Sequence, residues 1–160
     1  MGSFADNLEQ IYRECRDALF ACALAVTRSP AHAEDAVHEA FCHLFGRKKC
    51  PQNLKAYVFR TVRNAAVDQV RRNPWLSETV PESIFDTTPP PDTAAAQNEF
   101  RRQVAAALQE LSPHEYEVIL QHVYGGLTFR AIAEIHETPP GTIAGWYQRG
   151  LKKLREKLEG

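Results

Sequence analysis

Leu111-Ser-Pro-His-Glu115, followed by Gly126-Leu-Thr-Phe-Arg-Ala-Ile-Ala-Glu-Ile135 and Thr138-Pro-Pro-Gly-Thr-Ile-Ala-Gly-Trp-Tyr147, decides the fold of this chain. Ser112 can cap a helix whose first position is Pro113, with Glu115 at the third position reaching back to the cap. Ile119, Leu120 and Val123 form its apolar stripe, and Gly125-Gly126 ends it. Thr128 opens a short second helix with Ile132, Ala133 and Ile135 inward, where the small Ala133 marks a close helix crossing. Thr138 reads as the cap of a third helix that begins at Pro139-Pro140 and is tied to the core by Ile143 and Tyr147. Two short helices joined by a tight turn lay the second helix into a DNA major groove. The spacing therefore predicts a helix-turn-helix rather than an ordinary helical hairpin.

Outward from this motif the periodicity is helical throughout, and no segment alternates as a strand would. Leu8, Ile11, Cys15, Leu19, Cys22 and Val26 mark a first helix. Ser29-Pro30 caps a second, with Ala33, Val37, Ala40, Phe41, Leu44 and Phe45 inward. After the basic break Gly46-Arg-Lys-Lys-Cys-Pro51, a third helix runs from about Gln52 to Arg72 on Leu54, Val58, Val62, Ala65, Ala66 and Val70. Residues 73–96 hold five of the ten prolines among Ser, Thr and acids. Phe100, Val104, Leu108 and Leu111 then begin the C-terminal helices, which end on Leu151, Leu154 and Leu158. The expected fold is all-α, with two small helical domains (1–74 and 97–160) on a flexible, Pro-rich acidic linker (75–96). Such a tether would leave the domains without a fixed relative arrangement.

The charge pattern narrows the function. Net charge is −1, with eleven Lys/Arg against eight Asp/Glu in residues 1–74 and eight of each in residues 99–160. A protein that binds DNA unaided carries a stronger basic field, so a partner is expected to bring this one to DNA. No signal-peptide pattern opens the sequence and no apolar run reaches the roughly 20 residues of a membrane span, so a cytoplasmic protein is expected. Cys15, Cys22, Cys42 and Cys50 form no Cys-x-x-Cys pair and read as free thiols. His38 and Cys42 stand one helical turn apart without an obvious further ligand or catalytic partner, so neither a metal, a cofactor nor catalysis is expected.

Two constellations remain. Asp35, His38 and Glu39 share the polar side of the second helix, and on the third helix Arg60, Arg63, Asn64, Arg71 and Arg72 line a polar face close to Tyr57 and Phe59. Rings beside guanidinium groups suit unstacked nucleotides, although a solvated face and core aromatics would carry the same letters. Ala33-Glu-Asp-Ala-Val-His-Glu-Ala-Phe41 and Leu54-Lys-Ala-Tyr-Val-Phe-Arg-Thr-Val-Arg-Asn64, with Asp68 and Arg71-Arg72, resemble the first domain of extracytoplasmic-function RNA polymerase sigma factors. Leu111-Ser-Pro through Gly126-Leu-Thr and Gly141-Thr-Ile to Leu154 resemble their second domain.

The resemblance implies a transcription initiation factor with core RNA polymerase, promoter DNA and an anti-sigma factor as partners, monomeric when free. It implies that Asp35, His38, Glu39 and Phe41 contact polymerase, and that Tyr57, Arg60, Arg63, Asn64, Arg71 and Arg72 serve the downstream (−10) element. Arg130, Thr142, Trp146, Arg149, Lys152 and Lys153 would serve the upstream (−35) element, with Trp146 equally readable as packing under its neighbour. The sequence departs from the family's usual Gln at His38, Trp at Tyr57 and Gly at Glu137. It also lacks the bases often found at Ala144, Trp146 and Leu151, so weak upstream recognition is expected. The residues leave open a helix-turn-helix regulator that works without polymerase.

Overall fold

A reciprocal cap starts the first helix, α1 (Phe4–Thr27): Ser3 Oγ accepts from the Asp6 amide and Asp6 accepts from the Ser3 amide, each at 3.2 Å. The computed structural model describes residues 3–47, 51–74 and 94–160. Ser29 caps α2 (Pro30–Phe45) and Asn53 caps α3 (Leu54–Arg72). These three helices pack on one another around Leu19, Leu24, Leu44, Val58, Phe59 and Val62. In the C-terminal half, α4 (Ala94–Gln109), α5 (Pro113–Ile119), α6 (Phe129–His136) and α7 (Pro140–Glu159) enclose Leu108, Leu111, Val118, Ile132, Ile135 and Ile143. The described residues hold helices and no strand.

Several expectations are corrected in detail. Helix α4 begins at Ala94, inside the stretch read as linker, because three consecutive alanines favour helix. The rest of that linker, residues 75–93, lies outside the described residues, as does Cys50. Thr138 does not cap α7; its hydroxyl donates to the His136 carbonyl at 3.0 Å and Pro139 takes the cap position. Val123, expected inside, is 65% exposed. A π-helical turn at Leu120–Tyr124 adds a residue to the end of α5, rotates the face that follows and turns Gln121 inward instead. Phe45 and Phe100 are also exposed.

The largest departure concerns the two halves, which pack together. From Ala18 to Ala25 nearly every residue of α1 is buried, because α2 and α3 cover one side while α5 and its π-turn cover another. Alanines make that approach possible: a Cβ on Gly125 would stand 3.3 Å from both Ala18 Cα and Ala21 Cβ. Helix α3 meets α6 along the same seam. Gly126 (φ 70°) takes the left-handed turn that sends the chain from the π-turn to α6.

Inside the C-terminal half, α5 and α7 cross at Gly150, where a Cβ would meet Ile119 Cδ1 at 2.5 Å and Glu115 Cβ at 3.4 Å. Gly150→Ala should be absorbed by a shift of the Ile119 methyl. Gly150→Leu should force α5 from α7 at a cost of ~1–3 kcal/mol. Thermal melts followed by circular dichroism check this, and equal melting temperatures for the two variants would contradict the crossing.

Candidate nucleic-acid and polymerase interfaces

Helix α3 places Tyr57, Arg60, Asn64 and Arg71 at three- to seven-residue intervals, with Arg63 and Arg72 beside them. Asn64, Arg71 and Arg72 are exposed, whereas Tyr57, Arg60 and Arg63 are half-buried. The Arg47 guanidinium lies 4.9 Å from the Tyr57 ring centre and donates to its hydroxyl, so the ring is covered. Phe59 is fully buried core and is no nucleotide platform. Arg71 faces Asp68 at 3.7 Å, and Arg72 reaches Glu39 of α2 at 3.6 Å; both pairs are exposed and contribute little.

Arg60 and Arg63 end in carboxylates of the other domain. Arg63 Nε and Nη2 donate to the two oxygens of Glu117 at 2.9 and 3.1 Å, a forked pair on a side chain that is only 6% exposed. Arg60 donates to Glu137 at 2.7 Å, and Asn53 donates to Glu134 at 3.3 Å. His136 completes the seam: its Nδ1 lies 3.9 Å from Glu117, and the Gln121 side-chain oxygen Oε1 accepts from its Nε2 at 3.0 Å. Burial holds the His136 imidazole below its ordinary value although Glu117 pulls the other way, so it is neutral at neutral pH. Burial also pushes the Cys22 thiol upward, which leaves it a protonated core group.

The polar side of α2 is open: Asp35, His38 and Glu39 are exposed. Phe41 is 7% exposed, meets Tyr12 edge-to-face at 5.2 Å and forms part of the floor of a groove of about 770 Å³. Tyr12, Phe20, Val37 and Phe45 continue that apolar floor, and Glu9, Asp17, Glu34, Asp35, Arg16 and His38 rim it. His38 Nε2 stands 3.6 Å from Cys42 Sγ, and among the described residues no three potential metal ligands gather.

On the C-terminal domain, Arg130, Thr142, Arg149, Lys152 and Lys153 are exposed. Trp146 is half-buried: His114 stacks on it at 4.3 Å with 6° between planes, and His136 meets it at 6.4 Å. It therefore fastens α7 to α5 and α6. Lys153 donates to Glu115 at 2.8 Å, and Arg149 lies 3.9 Å from the same carboxylate. Burial disfavours the Glu115 charge, but Lys153 and the Ser112 cap outweigh it and hold the carboxyl below its ordinary range.

Residues 11–76 match the family profile for sigma-70 region 2, and residues 101–154 match that for sigma-70 region 4. The chain belongs to the sigma-70 family. It is 25% identical to the RNA polymerase sigma-E factor of Streptomyces coelicolor, over 95% of this chain and 86% of that one. It is 28% identical to the sigma factor CarQ of Myxococcus xanthus, over 83% and 78%. Among solved structures it resembles the sigma factor RpoE of Bartonella quintana, solved with the anti-sigma factor NepR. The TM-score is 0.68, the identity 22% and the coverage 96% of this chain and 97% of that one, a likeness of fold. No helix among the described residues is long and apolar enough to cross a membrane.

In this sigma-70 chain the structure pairs Arg63 with Glu117, Arg60 with Glu137 and Asn53 with Glu134; sequence reasoning did not single out Glu117 or Glu134 and noted Glu137 only as a departure from glycine. A signal was present: Ala18-Leu-Phe-Ala-Cys-Ala-Leu-Ala-Val26 is apolar on every side, as befits a helix covered all round.

Glu115→Gln keeps the capping geometry and removes the charge that holds Lys153. The folded carboxyl titrates below the unfolded value of about 4.5, so its contribution is present above that pH and is lost as pH falls through the folded value. The variant should be less stable than the parent at pH 7, with the gap closing in acid. A gap that is constant across chemical melts from pH 7 to pH 3 would contradict this.

Proposed function

We propose that this chain is a sigma factor that binds core RNA polymerase and directs promoter-specific transcription initiation, acting in the cytoplasm and not as an enzyme. Residues 1–74 form the region 2 domain and residues 94–160, from the start of α4, the region 4 domain, with the linker between them. The observation that carries the reading is the pair of family matches, in order, on two domains whose faces suit the two tasks. An anti-sigma factor is the further partner, by likeness to a sigma factor solved with one.

On the polymerase side, Asp35 and Glu39 offer exposed carboxylates to basic residues of the core, and His38 offers a hydrogen bond. The Tyr12–Phe45 groove supplies apolar contact, with Phe41 as its floor. On the DNA side, α3 captures unstacked bases of the −10 element. Asn64 can hydrogen-bond base edges, Arg60, Arg63, Arg71 and Arg72 hold phosphates, and Tyr57 stacks once Arg47 moves away. Capture of unstacked bases favours the melted promoter. Upstream, α7 enters the major groove with Thr142 and Arg149 nearest the bases, while Lys152, Lys153 and Arg130 meet phosphates. Trp146 holds the helix in place. Because Glu115 restrains Lys153 and Arg149, this domain reads the −35 element weakly alone and depends on polymerase.

The double change Asp35→Arg, Glu39→Arg should abolish holoenzyme formation with helicity intact, since a lost interfacial charge costs ~2–5 kcal/mol. Co-purification with core polymerase reads this out. Unchanged core binding would overturn the assignment, and a chain that never binds core would instead be a regulator using its helix-turn-helix alone.

A further inference from the structure

We propose that Gln148, ahead of Arg149, sets the base preference of α7 at the upstream element, by reading an adenine. This deepens the reading of α7 as the major-groove helix and rests on it. The core side of α7 is marked by Ile143 and Gly150, both buried. At about 100° per residue, Gln148 lies roughly 140° from Ile143 and roughly 160° from Gly150, so it points straight away from the domain. Arg149 lies about 100° round from Gly150, on a shoulder of the helix. That shoulder faces α5, where the buried Glu115 carboxylate stands 3.9 Å from Arg149 Nε. The Arg149 guanidinium also folds back over Gly145, 3.4 Å from the place of a Cβ there.

The surroundings of Gln148 suit contact with a base edge. Toward the start of α7 the same side carries Gly141, Ala144 and Gly145, and a Cβ on Gly141 would meet nothing within 4 Å. The backbone can therefore come close to the groove floor, with Gln148 as the first long side chain on the outward line. Lys152, one turn further on and exposed, is placed for a phosphate. Gln148 is exposed, and among the described residues nothing holds its amide. A carboxamide sets a donor beside an acceptor, the complement of adenine N7 and N6–H in the major groove. Guanine presents two acceptors there, the complement of a guanidinium. With Arg149 drawn to Glu115, this surface is built for adenine rather than guanine.

The test combines the full chain with core RNA polymerase on a barcoded promoter library whose upstream element is randomised, and sequences the transcripts. The parent should favour adenine about tenfold at one position of that element. Gln148→Ala should remove this preference and leave the others, with helicity kept because alanine is a strong helix former on an exposed face. Gln148→Arg should turn the same position to guanine, a switch that a merely structural role would not produce. Arg149→Ala should lower the yield on every template and keep the adenine preference. A parent preference that Gln148→Ala leaves unchanged overturns the proposal while the reading of α7 stands. A Gln148-dependent position that favours another base in the parent overturns the match to adenine. A parent indifferent to the whole upstream element overturns the reading of α7, and the proposal with it.

Discussion

A carboxylate that is 6% exposed needs a partner, and Glu117 finds it in the other domain. Removing one member of such a pair typically costs ~3–5 kcal/mol, because the other charge is left buried and unanswered. The remaining features of the seam surround that pair. Gln121 is turned inward by the π-turn and accepts from His136, while His136 stays neutral beside the pair. The alanines of α1 bring α5 near enough for Arg63 to reach, and Gly125 permits the approach. Each half has a small core, and a shared surface adds buried area that a domain of that size lacks.

The same economy of charge describes the functional faces. With a net charge of −1 the chain has no strong field for DNA, and several of its bases are already engaged. Glu115 holds Lys153 and draws Arg149 close, while Glu137 and Glu117 hold Arg60 and Arg63. Association with DNA then rests on the polymerase as a partner that supplies field and position. The exposed acids of α2 suit that requirement in the proposed reading, since carboxylates complement a basic protein surface and not DNA.

Much of the architecture was legible in the sequence because local signals agree. Ser112-Pro113 with Glu115, Thr128 and Gly126 each behave as their residue types dictate, and the helices fall where the apolar periods place them. Periodicity failed where one extra residue changed phase, at the π-turn that exposes Val123 and buries Gln121. It also cannot tell a core aromatic from a nucleotide platform: Phe59 and Tyr57 stand two residues apart, and only Phe59 is fully buried. The seam was the hardest feature, because a Pro-rich tether says nothing about what its ends touch. Its trace lay in the all-round apolar character of residues 18–26 and in Glu137 at a position where glycine is expected.

This seam sets the resting state of the chain. Small-angle X-ray scattering of the dilute protein at neutral pH tests it most directly. The account predicts a single narrow size distribution, with a radius of gyration close to the ~15 Å of a compact chain of this length. A broad distribution extending to well-separated domains would contradict it.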